Sequence, residues 1–477
     1  STTAPGAEAK AIHTVPLRKQ YVPILRNGTA VAYKTAYFGQ IFAGSPESQA
    51  FTVVFDTGSG HLILPSTACR SETCTKHKQY NRTASHSAID IEYDGTRILP
   101  TAQERDQLRI SFGTGSVEGE FVQDVACLSA HGTEAAHCTK LRIVLATSMS
   151  PEPFGLFDFD GVLGLGANAL ALNSHFSFFG QMVEQHPTML PRFAVRLGRN
   201  DKGQSAISFG GIDRRWLAPG ADEEVKWAPV AMPELGYWQV LIKQVRIGDT
   251  VLDECADGGC RAILDTGTSL LGVPRQATRG MHRLLARPVP DELSHPGDDP
   301  DCRGLPGKML HFDLGDTVIS LGPEDYSRPK PYNMTMPGGK DAWKMWCRSL
   351  LLPIDMKAPL GPGVFIWGEA VLRRYLTVYD WAGQRIGFTT AGSDDEPVSG
   401  ESSAIGAPPS GSLAAGAPLA AAKVLRGPGA DAGAAGAGAD AGAASPGGAA
   451  GSTSEASAGA EASAGGSEAP VEQAIRV

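Results

Sequence analysis

Short apolar runs separated by glycine and proline dominate the chain up to about residue 391. The chain has 57 glycines and 33 prolines, and few of its stretches carry the spacing of a long amphipathic helix. Two of the apolar runs, Val53–Phe55 and Ala262–Leu264, lead directly into Asp-Thr-Gly followed by a hydroxyl residue. This repeat predicts a turn-rich, mainly β protein with two similar lobes, each offering one carboxylate to a shared site.

Length and charge narrow the possible classes of protein. With 477 residues the chain is expected to form two or three domains. Charged residues make up 19% of the chain, the formal net charge is −9, and there is no basic block, which argues against nucleic acid as a partner. No apolar run is long enough to span a membrane. Because the chain begins at Ser1, we expect that a signal peptide was removed or never included.

The aspartates of the two repeats, Asp56 and Asp265, are the candidate catalytic pair. Two carboxylates a few ångströms apart cannot both ionise cheaply, so they share one proton and titrate as a pair. The charged member can then activate a water molecule, while the protonated member polarises a carbonyl group. The alternative is that both residues are ordinary turn aspartates, since Asp-Thr-Gly is good turn chemistry.

The two motifs and their flanks resemble those of the pepsin-like aspartic endopeptidases, and the resemblance covers about Tyr37 to Ala391. It implies an all-β, bilobal fold with a central cleft and few short helices, including one near Phe178–Val183. It also implies hydrolysis of peptide bonds in polypeptides by a water activated between Asp56 and Asp265, with no covalent intermediate, metal or cofactor. Two alternatives stand beside it: a catalytically silent homologue that binds peptides or proteins, and a secreted β-sandwich adhesion module.

The resemblance gives each neighbour of the aspartates a supporting role. The glycines allow a tight turn and close backbone approach, the threonines after the aspartates bond across the lobes, and the next hydroxyl groups donate to the outer carboxylate oxygens. The supporting residues are Thr57, Gly58, Ser59, Thr266, Gly267 and Thr268.

Leu108–Ser116 resembles the flap, a hairpin that closes over substrate, and an insertion relative to pepsin precedes it at residues 87–107. An ordinary glycine-rich hairpin is the alternative. The family usually has Tyr at the position of Phe112 and Trp at that of Ile63, and these two groups hydrogen-bond to each other. Both polar groups are missing here, so neither leaves a stranded partner, and we expect an altered flap anchor in an active enzyme. The expected substrate-binding residues are Val54, Ile63, Phe112, Gly113, Thr114, Phe159 and Tyr237.

Composition and resemblance together divide the chain into four parts. Residues 1–30 are expected to be an N-terminal extension in which Val15–Lys19 resembles a pro-segment strand; it is either a shortened remnant or, as we favour, an edge strand. Residues 31–210 form the N-terminal lobe and residues 211–391 the C-terminal lobe. Residues 392–477, rich in Ala, Gly and Ser, are expected to be a disordered tail.

The eight cysteines allow many pairings. The resemblance implies three of them and leaves the last two cysteines as a fourth pair: Cys69–Cys74, Cys255–Cys260, Cys302–Cys347 and Cys127–Cys138. His77 and His86 follow the first pair, but the spacing fits no common structural zinc pattern, so a disulfide is favoured.

An even number of paired cysteines favours an oxidising compartment. Asn27, Asn81 and Asn333 each begin a glycosylation sequon, in agreement with passage through a secretory lumen. We therefore expect a secreted or an acidic endolysosomal or vacuolar protein that acts on polypeptides as a monomer.

Overall fold

The structure is a computed structural model of the full chain, and it describes most of the residues up to 390 and one segment beyond them. The described ranges are 12–26, 29–99, 101–102, 104–130, 137–200, 202–217, 225–256, 258–295, 297–335, 343–390 and 421–425. The sequon residue Asn27 lies outside them.

Within the described ranges, the first half of the chain contains eleven strands and two short α-helices. The strands are β1 (His13–Arg26), β2 (Thr29–Ala43), β3 (Gln49–Asp56), β4 (Leu62–Pro65), β5 (Ile89–Ile91), β6 (Gln107–Phe112), β7 (Gly115–Cys127), β8 (Cys138–Met149), β9 (Gly161–Gly164), β10 (Arg192–Arg196) and β11 (Ser205–Phe209). The helices are α1 (Glu72–Lys76) and α2 (Phe178–Gln185), the second of which was expected.

The second half is built in the same way. Its strands are β12 (Lys226–Pro229), β13 (Gln239–Ile242), β14 (Gln244–Ile247), β15 (Thr250–Val251), β16 (Cys260–Leu264), β17 (Leu271–Pro274), β18 (Arg287–Pro288), β19 (Leu310–Asp313), β20 (Val318–Leu321), β21 (Tyr332–Thr335), β22 (Trp343–Cys347), β23 (Leu351–Ile354), β24 (Val364–Trp367), β25 (Tyr375–Asp380) and β26 (Arg385–Thr390). Its helices are α3 (Arg275–Leu285), α4 (Pro323–Tyr326) and α5 (Glu369–Leu372). The all-β, bilobal fold class predicted from the sequence is confirmed.

The two halves repeat one strand arrangement around the Asp-Thr-Gly motifs. In the first half, β9 pairs parallel with β3 and antiparallel with β4, which itself pairs parallel with β8. In the second half, β24 pairs parallel with β16 and antiparallel with β17, which pairs parallel with β23. Asp56 ends β3 and Asp265 directly follows β16, so both aspartates leave equivalent strands.

A run of six strands in the order β12-β26-β25-β10-β11-β1, part of a larger sheet that continues from β1 into β2, joins the halves, since it takes strands from both. His13–Leu17 of β1 pairs with β11 at the end of this run, and Arg18–Arg26 then pairs with β2. The segment Val15–Lys19 thus lies where β1 passes from β11 to β2, and its assignment as a pro-segment remnant or an edge strand stays a prediction.

Aromatic packing fastens this run of strands to the core. Phe193 of β10 stacks on Tyr379 of β25, with ring centroids 4.5 Å apart, and meets Trp238 edge-on. All three side chains are almost completely buried. Truncating a buried aromatic residue of this kind to alanine typically costs about 3–5 kcal/mol, so this cluster is a main support of the interface between the halves.

One part of the predicted disordered tail is ordered. Ala421–Leu425 forms a strand, β27, which pairs antiparallel with β6. The prediction is wrong for these five residues, because composition averaged over the tail concealed a short strand-forming segment; the rest of the tail lies outside the described residues.

Candidate active site

The two Asp-Thr-Gly turns face each other at the centre of the molecule. Gly58 N–H donates to Asp56 Oδ1 at 2.9 Å, and Gly267 N–H donates to Asp265 Oδ1 at 2.7 Å. A Cβ atom on Gly58 would lie 2.9 Å from the Asp265 carboxylate, and one on Gly267 would lie 2.7 Å from Asp56 Oδ1. Glycine is therefore needed at both positions, because each turn packs directly against the carboxylate of the other.

Thr57 and Thr266 lock the turns together through reciprocal hydrogen bonds. Thr57 N–H donates to Thr266 Oγ1 at 2.9 Å, and Thr266 N–H donates to Thr57 Oγ1 at 3.0 Å. The hydroxyl groups donate in turn to the carbonyl oxygens of Leu264, at 2.8 Å, and Phe55, at 2.5 Å. The N–H and hydroxyl groups of both threonines have partners in the opposite half, which holds the aspartates at a fixed separation.

The two turns differ in the hydrogen bonds that their outer carboxylate oxygens accept. Thr268 Oγ1 donates to Asp265 Oδ2 at 2.6 Å. Ser59 Oγ is buried and has no hydrogen-bond partner among the described residues, so its expected bond to Asp56 is absent. The β-branched threonine has a restricted χ1 angle, whereas the serine hydroxyl can adopt other rotamers.

Burial and like charge make Asp265 a weak acid. The side chain is only 2% exposed, and its burial, followed by the nearby Asp56 carboxylate, raises the pKa of Asp265 well above its usual range. Hydrogen bonds from Thr268 and Gly267 oppose this shift without reversing it. An interacting pair of this kind keeps one proton over a range of acidic pH.

The apolar strands behind the turns support them through matching backbone bonds. Leu165 N–H donates to Asp56 O at 2.7 Å, and Asp265 N–H donates to Trp367 O at 3.1 Å. The residues that follow the two turn glycines are also held: Gly166 N–H donates to Ser59 O, and Glu369 N–H donates to Thr268 O. The turns are thus fixed from behind as well as from each other.

A largely apolar pocket opens beside Asp56 and reaches Gly267 of the opposite turn. Four expected substrate-binding residues line it: Val54, Phe112, Thr114 and Phe159. Residues that the sequence did not single out complete the lining: Lys34, Thr35, Ala36, Pro153, Phe154, Phe157, Val162 and Ser269. The pocket is suited to an aromatic or large aliphatic side chain.

The other expected substrate-binding residues lie outside this lining. Ile63 is 1% exposed within the neighbouring apolar cluster, and Gly113 lies at the turn between β6 and β7. Tyr237 is also buried, and burial, then the charges of Asp265 and Asp56, raises the pKa of its hydroxyl group. That hydroxyl has no hydrogen-bond partner among the described residues.

Phe112 at the end of β6 meets Phe154 edge-on, with ring centroids 5.4 Å apart. Its ring also packs against the apolar cluster that contains Ile63. The flap hairpin is therefore anchored by apolar packing where a tyrosine would offer a hydrogen bond.

Further polar contacts lie next to the pocket, and those between Thr35 and Ser269 link the two halves. Thr35 N–H donates to Ser269 Oγ at 3.0 Å, and Ser269 Oγ–H donates to Thr35 O at 2.9 Å. Lys34 forms an ion pair with Glu152 at 2.7 Å. Ser269 could have been suspected because it follows Thr268 directly, but no sequence signal marks Lys34 or Thr35.

Lys19 of β1 pairs with a buried carboxylate of the second half. Lys19 Nζ lies 2.8 Å from the buried carboxylate of Glu369, which also accepts from the Tyr37 hydroxyl at 2.7 Å. Burial acts to raise the pKa of Glu369, but the charges of Lys19 and Arg373 hold it below its usual value. This pair ties β1 to the second half.

Four disulfides join the pairs named from the sequence: Cys69–Cys74, Cys127–Cys138, Cys255–Cys260 and Cys302–Cys347. Asn81 and Asn333 are exposed. Within the described ranges, no three His, Cys, Asp or Glu side chains are grouped so as to hold a metal ion. No described helix combines the length and apolar character needed to cross a bilayer.

Comparison with known proteins agrees with this geometry. Similar proteins include cathepsin E of Rattus norvegicus, 30% identical over 74% of this chain and 80% of the relative. Gastricsin of Homo sapiens is 31% identical over 75% of this chain and 81% of the relative. Chymosin of Callithrix jacchus is 30% identical over 74% of this chain and 81% of the relative. The profile of the eukaryotic aspartyl proteases matches residues 36–391. The chain thus belongs to the eukaryotic aspartyl protease family.

Proposed function

We propose that this protein is an aspartic endopeptidase that hydrolyses peptide bonds in polypeptides. The observation that carries the proposal is the pairing of Asp56 with the buried Asp265, whose pKa is raised by burial and by the Asp56 charge. At mildly acidic pH the pair holds one proton and one negative charge. It therefore contains a base and an acid at the same place.

The reaction follows from this single shared proton. The ionised carboxylate accepts a proton from a water molecule as the water oxygen attacks the scissile carbonyl carbon. The protonated carboxyl group donates a hydrogen bond to the carbonyl oxygen, which becomes a hydroxyl group in the tetrahedral intermediate. Proton transfer to the amide nitrogen then allows the C–N bond to break. The fixed turns reduce the reorganisation that this sequence needs.

Substrates are expected to be extended polypeptides with an apolar side chain at the cleaved bond. The pocket beside Asp56 is lined by Phe112, Phe154, Phe157 and Phe159, so a large apolar side chain would bury much of its surface there. The β6–β7 hairpin, with Gly113 and Thr114 at its turn, would lie over the substrate backbone. Ile63 would support the pocket from beneath, and Tyr237 would lie on the other side of the aspartates.

We place this activity in the secretory pathway, either outside the cell or in an acidic endolysosomal or vacuolar lumen. Four disulfides and the exposed Asn81 and Asn333 sequons support that placement. The names of the relatives, cathepsin E, gastricsin and chymosin, fit a protease of such compartments. We also propose that residues 31–210 and 211–391 form the lobes of a monomer.

A catalytically silent peptide-binding homologue is the second candidate. Two departures favour it: the unpartnered Ser59 hydroxyl and the apolar residues Phe112 and Ile63 at the usual flap anchor. Incubation of the purified protein with a peptide library at mildly acidic pH separates the two candidates. Turnover that a statine-type inhibitor abolishes supports the protease, because the inhibitor's hydroxyl group takes the place of the attacking water. Peptide binding without any turnover would support the silent homologue.

A further inference from the structure

The outer edge of the flap carries an additional strand. On one side, β6 pairs with β7 to form the hairpin. On the other side, β27 pairs with β6 in an antiparallel register that runs from Ala421 opposite Ser111 to Leu425 opposite Gln107. The contact spans nearly the whole of β6, so β6 is the middle strand of a three-stranded arrangement at this point.

An uncovered edge at β6 would present unpaired backbone groups to solvent. Such an edge is a template for any extended segment that can supply matching N–H and C=O groups. The tail supplies a suitable sequence: Leu419–Leu425 is apolar except for Lys423, and it lies between Pro418 and Gly427. Pro and Gly bound the run in the way that they bound strands in general. Register and sequence thus agree on the same segment.

The length of the chain permits this pairing within one molecule. Residues 391–420 connect β26 to β27. A segment of this length can span on the order of 100 Å when extended, which exceeds the dimensions of one lobe. The tail can therefore reach the flap without any rearrangement of the lobes.

We propose that the outer edge of β6 is a binding site for an extended strand and that its occupant is this chain's own segment 421–425. Pairing with the tail holds the flap at the point where Phe112 and Ile63 provide no polar anchor. Its consequence for turnover rests on the proposed protease function, whereas the pairing itself does not. The tail is then a component of the flap, and its removal loosens the hairpin.

A disulfide trap tests the pairing directly. Ser111→Cys with Ala421→Cys places two thiols on residues that lie directly opposite, whereas Ser111→Cys with Ala434→Cys is the matched control. All eight native cysteines are already in disulfides. We expect mass spectrometry to find an intramolecular 111–421 bond and little 111–434 bond. Equal trapping at both positions would overturn the register, and trapping only between two molecules would overturn the intramolecular occupant.

Hydrogen exchange and kinetics test what the pairing does. Lys423→Pro with Val424→Pro removes two successive backbone donors from β27, and Ala434→Pro with Ala435→Pro is the control. In the first variant, the amides of β6 that face the tail should exchange faster, while those that face β7 stay protected. KM for a peptide should rise roughly 5-fold with kcat little changed, a shift worth about 1 kcal/mol.

The two readouts separate the proposals. If no variant hydrolyses peptides but exchange changes as described, the protease function fails and the tail site stands. If peptides are hydrolysed while exchange and KM are the same in both proline variants, the tail site is overturned.

Discussion

The Asp56 and Asp265 turns share a backbone plan but differ in their side-chain support. Both aspartates accept from a glycine N–H two residues later, and both turns exchange threonine bonds with each other. Only Asp265 accepts from the next hydroxyl residue, Thr268, because the Ser59 hydroxyl has no partner among the described residues. The comparison teaches that the repeat fixes the position of the carboxylates. A single hydroxyl group, that of Thr268, then lowers the pKa of the carboxyl group to which it donates.

Removing either carboxylate should have the largest effect. Asp56→Ala and Asp265→Ala should each lower turnover of one peptide by several orders of magnitude, because each residue is half of a catalytic unit. Circular dichroism and the thermal midpoint should show that both variants stay folded. Appreciable activity in either folded variant would contradict the assignment and would make the two turns unequal in a way that this account does not allow.

Removing the hydroxyl groups should separate the two turns. Thr268→Val deletes a hydrogen bond to a carboxylate and should cost about 1.5–3 kcal/mol in kcat/KM. It should also move the basic limb of the pH profile to higher pH, since the Thr268 bond opposes the raised pKa of Asp265. Ser59→Ala removes a group without a partner and should change kcat/KM little. Equal losses in the two variants would show that both hydroxyl groups act alike.

The raised pKa of Asp265 should also make stability depend on pH. Above about pH 4 an unfolded aspartate has lost its proton, whereas folded Asp265 keeps one until its raised pKa is reached. The folded state therefore binds more protons in this window, and stability falls as pH rises, by about 1.4 kcal/mol per pH unit. The free energy of unfolding is measured in urea at several pH values for wild type and Asp265→Asn, and gels check that the chain stays uncleaved. Its dependence on pH should have a shallower slope for the variant. An unchanged slope would exclude Asp265 as its source.

The flap, which belongs to the half that carries Asp56, offers the smallest effect. Phe112→Tyr or Ile63→Trp alone adds a polar group without its mate and should be neutral or harmful, by about 1–3 kcal/mol where a donor is buried unpaired. We express kcat/KM on one peptide as a free energy for wild type, both single variants and the double variant. The double variant should be more active than the sum of the two single effects predicts, by a coupling energy of roughly 0.5–3 kcal/mol. Strict additivity would mean that the two positions do not meet.

The sequence was most informative where a short motif determines a local geometry. The two Asp-Thr-Gly motifs and their apolar strands predicted the fold, because a strand that ends in a tight turn leaves few arrangements for the aspartate. The sequence failed for the Ser59 hydroxyl, whose orientation depends on which staggered χ1 rotamer the serine adopts. It also missed Lys34 and Thr35, which line the pocket from the part of β2 that pairs with β1.

The tail shows a different limit of sequence reasoning. Its Ala, Gly and Ser content predicts disorder as an average over many residues, and that average conceals Ala421–Leu425. Five residues with modest strand propensity become a strand only when an edge such as β6 supplies partners. Long-range pairing of this kind has no local signature, so it required the structure.

The central claim is that Asp56 and Asp265 together hydrolyse peptide bonds, and cleavage profiling tests it most directly. Wild type and folded Asp265→Asn are each incubated at mildly acidic pH with a denatured proteome, and new peptide termini are identified by mass spectrometry. The account predicts many new termini beside large apolar residues with wild type and almost none with the variant. Equal numbers of new termini in the two samples, or none with wild type, would contradict it.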